Sequence, residues 1–147
     1  MHSSSRRLVL ATGWARADGD AISSGFVYRG KAVPALRGKF LFCDITTGRI
    51  WWADFKEMLA VDDGDPNTMA AMHEVKIAAN KEVYGTMAPI NEAAYHSRGG
   101  KAEHLPGFGR VAGGRSDIRF AMDTEGELYI LSKSDGMIRS VVGATAR

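Results

Sequence analysis

The sequence predicts an all-β protein made of antiparallel, up-and-down sheets stacked on one another. Three observations lead there. Short runs of β-branched and aromatic residues recur from Ile22 onward, connectors such as ITTG, TEG and KSDG separate several of them, and some of the runs are apolar on both faces. Connectors this short make the flanking strands antiparallel neighbours.

In chain order, 1–5 is left out of the fold argument, and Leu8-Val9-Leu10-Ala11 opens a strand over 8–12. That run follows two arginines but is too short for the ~7–15 apolar residues of a signal-peptide core, so no signal peptide is visible and the compartment stays open. The next strands are GFVYRG (25–30), KFLFCD (39–44), RIWWADF (49–55) and HEVKIA (73–78). Residues 80–114 keep no sustained period of 2 or 3.6 and read as mostly loop, with a helical turn near 92–96. IRFAMD (118–123), ELYILS (127–132) and MIRSVV (137–142) complete the set.

A sheet with one wet face alternates apolar and polar residues. Phe40-Leu41-Phe42-Cys43, Ile50-Trp51-Trp52-Ala53 and Leu128-Tyr129-Ile130-Leu131 do not alternate, so both of their faces need cover. With little helix in the pattern, that cover is expected from other sheets, as a sandwich or as radially packed propeller blades.

Composition bounds the rest. A chain of 147 residues, 45% hydrophobic and 24% charged, supports one domain with its own core. The net charge of +2 comes from scattered Lys and Arg, which excludes a nucleic-acid footprint. No stretch approaches the ~20 apolar residues of a membrane helix, so no membrane partner is expected. Cys43 is the single cysteine, forms no internal disulfide and reads as strand packing.

Motif by motif, the chemistry reads as follows. LPGFGRVAGGR lacks a following GK[ST] and a helix, so it is no phosphate loop. Asp63, Asp65, Asn67 and Glu74 fall at positions 1, 3, 5 and 12 of a calcium loop, but Thr68 stands where the turn glycine belongs, and an acidic turn is expected instead. Ser24, Ser97 and Ser132 have no G-x-S-x-G context. His73, His96 and His104 read as solvated or capping histidines, and no catalytic or metal residue is assigned.

AISSGFVYRGKAVPALRGKFLFCDITTGRIWWADF (21–55) carries G-F-V-Y-R-G, P-x-L-x-G-K-F and an aspartate before a T-G-R turn. GGRSDIRFAMDTEGELYILSKSDGMIR (113–139) carries D-x-R-F, G-E-L-Y and K-x-D-G-x-I-R. These stretches resemble the late blades of the glucose/sorbosone dehydrogenase family of quinoprotein β-propellers. The resemblance implies a six-bladed ring that holds pyrroloquinoline quinone (PQQ) and calcium, oxidises sugars or related alcohols, and is usually exported.

On that resemblance, 1–147 is one propeller-like fragment from the C-terminal part of such a protein. It comprises a first blade at about 22–78, a loop-rich segment 79–114, and a closing blade 115–143 completed by the strand at 8–12. Arg115 is the one position that carries over, as a contact to cofactor carboxylates. A family basic residue is replaced by Ile45-Thr46-Thr47, and the catalytic histidine belongs to an upstream segment. No cofactor is therefore expected for this chain. The expected function is a non-catalytic β module that self-associates, as a trimer completing a six-blade ring or as a face-to-face dimer, and takes a small ligand or partner. The alternative is one part of a split or truncated PQQ-dependent sugar dehydrogenase.

Overall fold

The computed structural model describes residues 21–65, 67–79, 81–105 and 115–143; the strand read at 8–12 lies outside them. The protein is mostly β, with antiparallel sheets throughout. β1 (Ile22–Val27), β2 (Lys39–Asp44), β3 (Ile50–Asp54) and β4 (His73–Glu74) form a four-stranded meander. A second meander holds β7 (Ile118–Met122), β8 (Leu128–Ser132) and β9 (Met137–Ser140). Between them lie α1 (Phe55–Ala60), a small hairpin of β5 (Ile77–Ala79) and β6 (Glu82–Tyr84), and α2 (Ala88–Ser97).

The turn between β2 and β3 shows why the sequence folds here. The buried Asp44 carboxylate accepts from Thr47 N–H at 2.6 Å and Thr47 Oγ1 at 2.8 Å, while its other oxygen takes Ala21 N–H at 2.7 Å. One side chain thus closes the hairpin and fixes the entry to β1. Gly48 sits at φ 75°, and a Cβ there would lie 2.5 Å from Ser116 Oγ, so the T-G-R turn needs its glycine for conformation and for space.

Register sorts the side chains into faces. Leu41, Cys43 and Ile50 point from the first sheet onto Ile118, Phe120, Leu128 and Ile130 of the second, and Tyr28, Val33, Leu36 and Met87 fill the ends of this core. β1 and β2 lie against β7, and Ser116 N–H and Ile118 N–H donate to the carbonyls of Thr46 and Ile45.

The opposite face of the first sheet presents Phe40, Phe42, Trp51 and Ala53, with the Phe42 and Trp51 rings stacked 5.6 Å apart. It is covered from within the chain. α1 and the residues after it lay Met58, Ala70, Phe55 and Val61 on Ala53 and Phe40, and Trp51 is 5% exposed. This corrects the expectation that cover comes from sheets alone. A helix follows β3 directly, capped by Asp54, whose carboxylate accepts from Lys56 and Glu57 N–H.

Two further differences concern extent. The strand expected at 73–78 ends at Glu74, and Ile77 to Ala79 pair with β6 instead. The helical turn expected near 92–96 is a ten-residue helix with a proline in its first turn, which suits a helix start because proline needs no N–H partner there.

The outer face of the second sheet carries Arg119, Ala121, Tyr129, Leu131, Ile138 and Ser140. Ile138 is 68% exposed, Val142 79% and Met137 37%. β9 is the edge strand, and Val141 N–H donates to Leu128 O, which by alternation turns the backbone groups of Ile138 and Ser140 away from β8.

Candidate functional site

A buried polar knot sets the head of β7. The Ser116 carbonyl accepts from Ser134 Oγ at 2.8 Å, Ser132 Oγ at 3.1 Å and Asn91 Nδ2 at 3.3 Å, and the two serine hydroxyls are 2.9 Å apart. All four residues are buried, so every one of these bonds is made away from competing water. Next to the knot, buried Asp135 pairs with Arg139 and also accepts Met137 N–H at 3.1 Å, fixing the β8–β9 turn.

Asp117 follows in the left-handed region at φ 47°, a conformation that costs a non-glycine residue free energy and has to be held by its surroundings. Its carbonyl accepts Lys133 N–H at 3.2 Å, and its Oδ1 lies 2.7 Å from Arg115 Nη2. Arg115, the residue expected to meet cofactor carboxylates, is exposed and engaged by this ion pair.

Beside Asp117 opens a cavity of about 350 Å³ on the outer face of the second sheet. Leu131, Met137 and Ile138 give its apolar lining, and Arg119, Lys133 and Asp117 its charged lining. Arg98, just past α2, brings Nη1 to 2.8 Å from Met137 Sδ. Cations beside an apolar lining suit an anionic or amphipathic group. The one hydroxyl in the lining, Ser132, is turned into the buried knot.

The other sequence candidates do not converge on this cavity. His73 stacks on Trp52 with centroids 4.1 Å apart, and Lys39 Nζ stands 3.3 Å over the same indole. His96 Nδ1 lies 2.8 Å from Gly100 O and closes the end of α2, while His104 sits in a short exposed turn at Ala102–His104. Asp63 and Asp65 accept the N–H groups of Asp65 and Asn67 within their own turn, and Glu74 lies on β4 beside Arg49 and Lys76. Among the described residues no group of three or more His, Cys, Asp or Glu gathers as metal ligands. Burial pushes the Cys43 thiol up to about 12, far from a reactive thiolate.

Sequence reasoning missed Arg98, Arg119 and Lys133. The pairing of Arg119 with Leu131, two residues before Lys133, brings two of them together, and that signal exists only once the register is known. No family model, curated protein or solved structure matches the chain. Among the described residues no helix is long and apolar enough to cross a membrane.

Proposed function

We propose that the chain is a non-catalytic, propeller-derived β module that self-associates through the outer face of β7–β9 and takes a small ligand or partner in the cavity on that face. The observation that carries this reading is the bare apolar group of Ile138, Met137 and Val142 beside half-buried Leu131. Soluble monomers seldom leave such a patch without a partner. Descent from glucose/sorbosone dehydrogenase propellers rests on the motifs in 21–55 and 113–139, and two meanders meeting along β1 and β7 agree with blade-to-blade packing.

This reading leaves PQQ and calcium out, supported by the pairing of Arg115 with Asp117 and by the lack, among the described residues, of a group of three or more His, Cys, Asp or Glu to take a cation.

Light scattering coupled to size exclusion, over a wide range of protein concentration, tests the reading. A concentration-dependent oligomer is the expected result, and a chain that stays monomeric at the highest concentration overturns it. Adding PQQ with calcium tests the catalytic part: retention of quinone absorbance through gel filtration together with dye reduction by aldoses would make the chain part of a split dehydrogenase instead.

A further inference from the structure

The two ends of the layered stack carry opposite charge. α1 and the segments 61–65 and 67–72 lie on the far side of the first sheet, where Glu57, Asp62, Asp63 and Asp65 are exposed against one exposed cation, Lys56, and Leu59 (43%) and Met69 (52%) are exposed too. The far side of the second sheet exposes Arg98, Arg119 and Lys133 around Ile138 and Met137. Each wall is apolar in part, and each has a charged surround of one dominant sign.

We infer that copies of this chain pair head to tail, the basic outer face of β7–β9 of one copy docking on the acidic α1/61–72 wall of the next. The inference rests on the self-association reading and names its two surfaces. Opposite charges across the contact steer encounter and fix which faces meet, while the exposed apolar side chains supply area to bury. A contact that joins two different surfaces of each copy is heterologous, and it closes into a ring if the rotation between copies allows.

The competing arrangement is a two-fold dimer that packs the basic face on itself. With strands antiparallel, Arg119 and Lys133 would then lie over the β7–β8 turn of the other copy, where Asp123 and Glu125 are exposed. Asp123 is already spent there. Its Oδ1 accepts the N–H groups of Glu125 and Glu127, and its Oδ2 accepts the Tyr129 hydroxyl, leaving Glu125 alone against the cations. That arrangement also leaves Leu59 and Met69 uncovered.

Charge reversal on each wall separates these outcomes. Arg119→Glu with Lys133→Glu makes one wall net acidic, and Asp62→Lys with Asp63→Lys, beside exposed Lys56, makes the other net basic, all at exposed positions; circular dichroism checks that each variant folds. Each pair alone is expected to weaken association by roughly tenfold or more, with less effect at high salt, and the four changes together are expected to restore it. If the wild type assembles but the Asp62/Asp63 variant assembles equally well, or the fourfold variant is not restored, the pairing of walls is wrong while self-association stands. A wild type that never assembles removes both.

Discussion

Glu127 joins parts of the chain 99 residues apart: one carboxylate oxygen accepts the Tyr28 hydroxyl at 2.5 Å, the other the N–H groups of Lys31 at 2.6 Å and Ala32 at 3.0 Å. Gly30 lies beneath it, where a Cβ would come within 2.4 Å of the carboxylate and push it off these donors. The Tyr28 hydroxyl in turn accepts from buried Val33 N–H at 2.9 Å. Tyr28→Phe strands that N–H and is expected to cost about 1–3 kcal/mol in urea unfolding. The Tyr28 hydrogen bond, followed by the two backbone donors, holds Glu127 below its ordinary 4.5. A depressed folded-state pKa means that the clamp's contribution is present above pH 4.5 and lost as pH falls through the lower folded value. Glu127→Gln should therefore remove part of the acid-induced loss of stability, read as a shallower fall in melting temperature below pH 4.5. Cys43, with its thiol pushed up to about 12 by burial, should ignore Ellman's reagent at pH 8 until the protein is unfolded.

At the scale of elements, α1 depends on its first residue and its packing, because an isolated helix of six residues is unstable in water. Asp54→Ala removes the acceptor for two N–H groups and is expected to cost about 0.5–2 kcal/mol. Because α1 helps to cover the face holding Trp51, a red shift in tryptophan emission should accompany that loss. The sequence carried the signal for this helix: Asp54 followed three residues later by Glu57 matches a helix-start pattern. It was hidden because FKEMLA continues from an apolar strand with no turn residue between them. β2 was legible to the residue because Gly38 and the Asp44 turn bracket it, whereas the 73–78 run looked continuous although β4 ends at Glu74. α2 was under-read because its apolar positions keep no clear stripe, although Pro89 and Gly99 mark its ends. Near the cavity the sequence pointed only to Arg115, which pairs with Asp117 of its lining. Arg119 and Lys133 line it and Arg98 touches Met137 of the lining, and only tertiary pairing brings such residues together.

For the whole molecule, the strands that are apolar on both sides called for cover, and α1 supplies part of it on the first sheet by packing on Ala53 and Phe40. Among the described residues the outer side of β7–β9 keeps Ile138, Met137 and Val142 exposed. Ile138→Lys places a charge in the middle of that face and should shift the scattering mass toward monomer without lowering the melting temperature, because Ile138 contributes little to the core. The edge strand β9 has a separate consequence. Its Ile138 and Ser140 amides and carbonyls have no outer neighbour among the described residues, and they form a template on which any extended peptide can zip. Arg139 supplies a gatekeeper charge in this strand, but it is drawn off by Asp135. Refolding from denaturant at high concentration should therefore lose material to cross-strand polymer, and slow dilution or a lysine at Ser140 should recover it.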